Sequence, residues 1–370
     1  MPSVNHRDDD FKRILVICTR QIGDVLLTTP LIHAARQRWP AARIDVLGFA
    51  GTLGMLEGNP DIGARIEVEP GSGWWRSLAL IRRLWRRYDL ALITQRSDRA
   101  HLYGWVAARV RAGLVPGNAS LSWWKHLLLD HAAVVNGEDT HVVMEKFGLL
   151  DPWIEQRPRN VSVTPPAGAA LPADLDAVLR PRAVVVHVPS MWRYKQWPLP
   201  HYRELIAGLL ADGLQVVMTG GKEASDREQV AAMRDLGAEP ELVDASGRLS
   251  LAQLTTLLGR ACLYIGPDTS ITHLAAACEL PVITLFGPTN PQLWGPWPQG
   301  ASAAQPYAVR TSERTQRAGR VILLQGPNDC VPCSRAGCEN HLNSRSDCLQ
   351  GISPQRVLAH ARSVLSPVKD

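Results

Sequence analysis

The residues best suited to chemistry in this chain lie at three places where an apolar run gives way to a turn. The segment Arg20-Gln21-Ile22-Gly23-Asp24 follows the apolar run 13–18. A glycine at such a turn lets the backbone approach a ligand, and a following helix N-terminus favours anions. Asp24 reads either as the N-cap of that helix or as a carboxylate at the carboxyl end of a parallel strand, where α/β folds place their chemistry. A stronger pattern is Tyr264-Ile265-Gly266-Pro267-Asp268-Thr269-Ser270-Ile271-Thr272-His273, which runs on into Leu274-Ala275-Ala276-Ala277. Here a buried strand ends in Gly-Pro, and Asp268, Thr269 and Ser270 open an alanine-rich helix. First-turn N–H groups with hydroxyls beside them make a phosphate cradle that needs no Walker lysine. His273, four residues after Thr269, shares its face and reads as either structural or functional. The third place is Pro189-Ser190-Met191-Trp192-Arg193-Tyr194-Lys195-Gln196-Trp197-Pro198. Lys195 there is either a solvated loop lysine or a phosphate contact at a strand's carboxyl end.

These segments need strands and helices in strict alternation to hold them. Apolar runs at 13–18, 44–47, 64–68 and 90–94 predict strands, with helical spacing over 24–39 and 78–88. A Pro- and Ala-rich stretch around 158–182 separates this region from a second alternating one. The second has strands expected at 183–187, 215–219, 242–244, 262–265 and 282–286, and helices at 201–212, 224–236, 251–260 and 271–278. The order predicts an α/β chain of two Rossmann-like halves: residues 1–165, a linker at 166–182, and 183–370. A length of 370 residues also exceeds what one core usually supports. No Gly-x-Gly-x-x-Gly fingerprint occurs, which disfavours a Rossmann dehydrogenase.

Composition narrows the partners. The chain is 45% hydrophobic and 20% charged, with a formal net charge of +5 and a pI near 8.9. That mild excess suits an anionic small molecule, a phosphorylated glycolipid or a membrane surface. It does not point to nucleic acid, because no nucleic-acid-binding signature accompanies it. The polar, acidic start (residues 1–10) lacks the apolar core of a secretory signal, and no run of 18 apolar residues exists. The expected location is the cytoplasm, with peripheral attachment at the inner face of the cytoplasmic membrane as an extension.

Together the segments resemble glycosyltransferase family 9, the lipopolysaccharide heptosyltransferases. The resemblance rests on Gly23-Asp24-Val25-Leu26 with Thr28-Thr29-Pro30, on Lys195-Gln196-Trp197-Pro198, and on Asp268-Thr269-Ser270-Ile271-Thr272-His273-Leu274-Ala275-Ala276-Ala277. Phe286-Gly287-Pro288-Thr289 and a late Cys-x-x-Cys…Cys…Cys-Leu…Ile-Ser-Pro cluster add to it. It spans roughly residues 13–360 in one order. It implies a GT-B architecture, two Rossmann-like domains with the active site in the cleft between them. It further implies an inverting transfer of heptose from an ADP-activated donor to the lipopolysaccharide inner core or a related surface glycan. No metal or other cofactor is required. By the same resemblance Asp24 is the general base. Ser190, Lys195, Glu223, Asp268, Thr269, Ser270 and His273 bind the donor, with Lys195 and the Thr269–His273 helix start stabilising the leaving diphosphate. Glu223 matches a glutamate that contacts the nucleotide ribose, although an exposed helix-start glutamate explains it equally. Ser270 departs from the family's usual glycine. Alternatives left open are a relative using another nucleotide sugar or acceptor, and a non-catalytic sugar-nucleotide-binding protein.

Three further features have two readings each. Arg82, Arg83, Arg86 and Arg87 form a basic stripe, either a solvated helix face or a patch for an acidic glycolipid or core-oligosaccharide acceptor. Trp74-Trp75 and Trp123-Trp124 are paired aromatics expected in loops, either buried there or at a membrane interface. Cys330, Cys333, Cys338 and Cys348 could bind a structural zinc, or remain free thiols or disulfides.

Overall fold

The computed structural model describes residues 10–69, 74–135, 139–301 and 304–366. The extreme N-terminal residues on which the location was argued lie outside them. Among the described residues no helix is long and apolar enough to cross a membrane. The chain divides into two compact units. One comprises Met1–Pro166 with Ser302–Ala304, the other Ala167–Ala301 with Gln305–Asp370.

The first unit is a six-stranded parallel sheet of β1 (Arg13–Cys18), β2 (Arg43–Phe49), β3 (Ala64–Val68), β4 (Tyr88–Ile93), β5 (Ala108–Pro116) and β6 (His131–Val135). Their spatial order is β3-β2-β1-β4-β5-β6, with every pair parallel. That is the doubly wound order, in which the order of the strands reverses between β1 and β4. Ile14, Leu15, Val16 and Ile17 are all fully buried, as a strand covered on both faces must be. Each contributes about 1.5–3 kcal/mol by leaving water. Right-handed crossovers carry the helices Trp74–Leu84, Asp98–Ala107 and Ala119–Leu128 to one face, where neighbouring helices pack together. Thr29–Arg38 and Val142–Phe147 pack against each other.

The second unit repeats the plan. Its strands are β7 (Val184–His187), β8 (Val216–Thr219), β9 (Leu242–Asp244), β10 (Leu263–Pro267), β11 (Val282–Phe286), β12 (Thr315–Ala318) and β13 (Val321–Gln325). The order is β12-β13-β11-β10-β7-β8-β9, all parallel except the antiparallel edge β12–β13. The reversal now falls between β7 and β10.

Several expectations need correction. Residues 166–182 are not a free linker. Helix Ala173–Val178 belongs to the second unit, where Asp174 and Asp176 pair with Arg248 and Arg260. The helix expected over 24–39 is two helices, Ile22–Leu26 and Thr29–Arg38, because the Thr28 hydroxyl bonds the Asp24 carbonyl and Pro30 restarts the chain. The helix expected over 78–88 ends at Leu84. Arg86 turns left-handed at φ 50°, and Tyr88 already belongs to β4. Both tryptophan pairs lie in helices rather than loops. The side chains of Trp74 and Trp75 lie outside the described residues.

Beyond β13 the chain turns at Gly326, where a Cβ would sit 2.2 Å from the Cys348 carbonyl oxygen. Only glycine permits that approach, and it seats the late cysteine segment on the sheet. Gly326→Ala is expected to lower the melting temperature by several degrees and to expose the buried Cys348 thiol to thiol reagents. Unchanged melting and unchanged Cys348 reactivity would show that this contact is not needed.

Candidate active site

In the second unit the sequence-predicted residues converge on the carboxyl edge of the sheet, at the reversal. After β7 the chain runs through Ser190, which is buried, to a single 3-10 turn, Arg193–Lys195. After β10 it enters helix Ser270–Ala277 through Asp268 and Thr269. The Lys195 ammonium lies 2.6 Å from Asp268 Oδ2, with side-chain exposures of 22% and 7%. Burial, the largest influence, pushes the Asp268 carboxyl up. Lys195, the Thr289 hydroxyl and His273 together outweigh it, and the net shift is downward. Four segments therefore meet on one carboxylate: the loops after β7 and β10, the turn after β11, and His273 one helical turn on.

The loop carrying Lys195 is pinned from below. Trp197 is buried, donates its indole N–H to the Ile352 carbonyl at 3.0 Å, and packs edge-on against Tyr202 at 4.8 Å. The Ser346 hydroxyl donates to the Tyr194 carbonyl at 2.6 Å, and Gln196 donates to the Ser190 carbonyl at 2.9 Å. Ser334 N–H bonds the Pro288 carbonyl at 2.8 Å, so the late cysteine segment also braces the turn after β11. Sequence reading missed this bracing role.

Ser270 in place of glycine causes no strain, because it is not among the positive-φ residues and begins the helix. Thr272 ties that helix to its strand by donating to the Pro267 carbonyl and lying 3.0 Å from the Tyr264 hydroxyl. Glu223 is the N-cap residue of helix Ala224–Ala231, just past β8. It is exposed, makes no side-chain capping bond, and lies on the same carboxyl edge.

In the first unit Asp24 sits at the corresponding reversal, after β1. It is not the N-cap. Gln21 holds that position, and Asp24 is the third residue of helix Ile22–Leu26. Its side chain is 11% exposed and lies 3.2 Å from Arg20 Nε. Its carbonyl accepts from Thr28 Oγ1 at 2.7 Å and from the buried Lys146 ammonium at 3.1 Å. Lys146 also donates to Thr28 Oγ1 at 3.0 Å, and burial pushes its pKa down. Beside it Glu145 has its carboxyl pushed up, first by burial and then by Asp24, against Arg96, Lys146 and Arg20. Gln95 and Arg96 arrive from the end of β4, where Gln95 donates to Thr19 Oγ1. Arg96, Glu145 and Lys146 were not foreseen. Arg96 follows a strand end and was open to detection, whereas Lys146 lies more than a hundred residues from Asp24 and carries no local signal.

The structure does not bring Arg82, Arg83, Arg86 and Arg87 to Asp24. Ile14 of β1 pairs with Leu90 of β4, so these arginines precede β4 at the amino end of the sheet. A six-residue strand separates them from the carboxyl edge by about 15–20 Å. The four late cysteines are free thiols, Cys330 and Cys338 exposed and Cys348 buried, with burial pushing the Cys348 pKa up to about 12. Zinc needs thiolates in a cage, and among the described residues no three His, Cys, Asp or Glu side chains are grouped to hold a metal.

The Lys195–Asp268 pair yields a test of its own. Lys195→Met leaves a buried carboxylate uncompensated and should cost about 2–3 kcal/mol at pH 7. In that variant burial is opposed only by the Thr289 hydroxyl and His273, so the native state takes up a proton earlier as pH falls than the wild type does. The deficit should then shrink toward pH 4 and disappear in Lys195→Met/Asp268→Asn. Denaturant unfolding at pH 7 and pH 4 measures this. A deficit independent of pH would remove the charge argument.

A glycosyltransferase family 9 (heptosyltransferase) model matches residues 77–321. Lipopolysaccharide heptosyltransferase 3 of Escherichia coli K12 is 30% identical over 292 residues, covering 75% of this chain and 83% of the relative. Lipopolysaccharide heptosyltransferase 1 of Pseudomonas aeruginosa is 28% identical, covering 95% of this chain and 98% of that one. Among solved structures, E. coli ADP-heptose lipopolysaccharide heptosyltransferase II aligns over 95% of this chain and 98% of its own, at a TM-score of 0.69 and 20% identity. A family 9 glycosyltransferase from Veillonella parvula aligns over 98% and 99%, at a TM-score of 0.73 and 19% identity. Those two likenesses establish the fold, two Rossmann-like units of the GT-B class. With an edge of cations, hydroxyls and helix N–H groups on one unit and a carboxylate on the other, this chain belongs to glycosyltransferase family 9, the heptosyltransferases.

Proposed function

We propose that the protein transfers heptose from ADP-heptose to the inner core of lipopolysaccharide, or to a related surface glycan, with inversion at the anomeric carbon. The observation that carries this reading is the Lys195–Asp268 pair at the second unit's reversal. An ammonium has three donors, so its pairing with Asp268 is compatible with holding a diphosphate oxygen as well. The first-turn N–H groups after Thr269, with Ser270 and His273, add charge stabilisation where the leaving group's negative charge grows. Glu223 and Ser190 complete the donor edge. Solved heptosyltransferases of this fold include one described with ADP and one with ADP-2-deoxy-2-fluoro heptose, which supports an adenine nucleotide here.

The reaction is a single displacement. The acceptor oxygen forms a bond to the anomeric carbon while the bond from that carbon to the diphosphate oxygen breaks, and the electron pair leaves with ADP. Asp24 takes the acceptor's proton. This reading assigns the donor to the second unit's carboxyl edge and the acceptor's proton to Asp24 of the first, in an enzyme on the cytoplasmic side of the membrane. Lys195 and helix N–H groups supply the charge that a divalent cation supplies elsewhere, so no cofactor is required.

Two measurements test the reading. In a thermal-shift panel ADP should stabilise the protein selectively over UDP, GDP and CMP, and transfer should survive EDTA. Stabilisation by another nucleotide would change the donor, and activity restored only by Mg²⁺ or Mn²⁺ would defeat the metal-free mechanism. Unfolding on chelation would instead place zinc at the four late cysteines.

For the base, Asp24→Asn keeps the size of the side chain and removes its ion pair with half-exposed Arg20 and its attraction for buried Lys146, so the protein should stay folded and ADP binding should hold. Turnover should fall by roughly 10²–10⁴. Glu145→Gln is the control: wild-type turnover in Asp24→Asn with loss in Glu145→Gln would reassign the base.

A further inference from the structure

We propose that the outer face of helices Trp74–Leu84, Asp98–Ala107 and Ala119–Leu128 is a docking surface for an anionic lipid bilayer. The exposed large apolar side chains of the described residues are concentrated there: Leu78, Trp85, Leu102, Trp105, Trp123 and Leu127. The exposures are too high for incidental edges of a core, at 57% for Trp85, 64% for Trp123 and 75% for Leu127. Spacing aligns them along their helices. Leu78 and Arg82 fall at i and i+4, with Trp85 at i+7 just past Leu84 and its N–H on the Ile81 carbonyl, Leu102 and Trp105 at i and i+3, and Trp123 and Leu127 at i and i+4. The three helices cover one face of the first unit's sheet and pack in series, so their stripes lie side by side.

The charges on this face select the occupant. Among the described side chains of these helices and the turn that follows the first, five arginines are exposed against one carboxylate, Asp98. Asp98 is neutralised by Lys125 at 2.9 Å. The whole chain, by comparison, has 40 Lys and Arg against 35 Asp and Glu. Arg82, Arg83, Arg86, Arg87 and Arg99 are exposed, and none pairs with a carboxylate among the described residues. Tryptophans interleaved with arginines match an interface of headgroups, with aromatic rings at the acyl boundary and cations on anionic phosphates. A second copy of the chain fits poorly. A two-fold interface sets each patch against itself, which would oppose arginine to arginine, and interface cores are depleted in charge. This role also accounts for Arg82, Arg83, Arg86 and Arg87, which lie at the sheet end away from Asp24.

The inference extends the proposed reading, since a lipid-linked acceptor would reach the enzyme from that bilayer, yet binding to vesicles needs no substrate. The test is co-sedimentation of the full chain with phosphatidylcholine vesicles containing 30% phosphatidylglycerol, against phosphatidylcholine alone, at low and high salt. Binding should require the anionic lipid, weaken with salt, and fall at least tenfold in Trp85→Ser/Trp105→Ser/Trp123→Ser. It should fall similarly in Arg82→Ser/Arg83→Ser/Arg86→Ser/Arg87→Ser. Melting temperatures verify folding, and Leu102→Ser/Leu127→Ser stands in if the tryptophan variant does not fold. No vesicle binding, or binding untouched by these substitutions, would overturn the proposal. So would sedimentation showing a wild-type dimer that the same substitutions dissociate. ADP stabilisation, measured separately, keeps failure here distinct from failure of the donor assignment.

Discussion

A carboxylate buried to the extent of Asp268 cannot stay ionised without a cation beside it, and Lys195 is that cation. The pairing joins the carboxyl ends of two adjacent strands. Lys195 hangs from the loop after β7 and Asp268 from the end of β10, the adjacent strands between which the sheet's order reverses. At such a point neighbouring strand ends send their chains apart and leave a crevice. The ion pair spans it, with Thr289 and His273 adding to the same electrostatic group. The arrangement of this edge depends on that single constraint.

Holding a lysine there demands support, because its loop has one short turn and no long helix of its own. The support comes from the far end of the chain. Trp197, fixed by the Ile352 carbonyl, and the Ser346 bond to Tyr194 clamp the loop. The close approach of Gly326 to Cys348 seats the clamping segment on the sheet. The cysteine-rich segment thus has a structural task in this unit whatever the state of its thiols.

The first unit uses the same topology for the opposite chemistry. Its reversal presents Asp24 rather than a cation, and the Asp24 backbone is anchored by Thr28 and Lys146 while its carboxylate faces Arg20. This explains Thr28-Thr29-Pro30 physically: Thr28 closes on the Asp24 carbonyl, Thr29 on that of Leu26, and Thr164 N–H returns to Thr29. The same sheet has a second surface with a different character, three helices whose outward stripes are apolar and basic.

The local patterns were legible because they are short-range. Arg13–Cys18, Ala64–Val68, Leu242–Asp244, Leu251–Arg260 and Val282–Phe286 are elements whose bounds follow from apolar runs and their flanking breakers. The candidate edge of the second unit was legible for the same reason, since Lys195 lies in the loop after a strand end and Asp268, Thr269, Ser270 and His273 follow another strand end into the first turn of a helix. What only tertiary structure decided was pairing at long sequence distance. Lys146 reaches Asp24 across more than a hundred residues, Ser346 reaches Tyr194, and β5, β6, β12 and β13 enter sheets that local periodicity did not reveal. Arg82, Arg83, Arg86 and Arg87 show the converse. Their charge is plain in the sequence, but which end of the sheet they occupy follows from the register of β1 against β4. A parallel sheet gives its two ends different chemistry, and register, a property of two strands together, determines which end a residue meets.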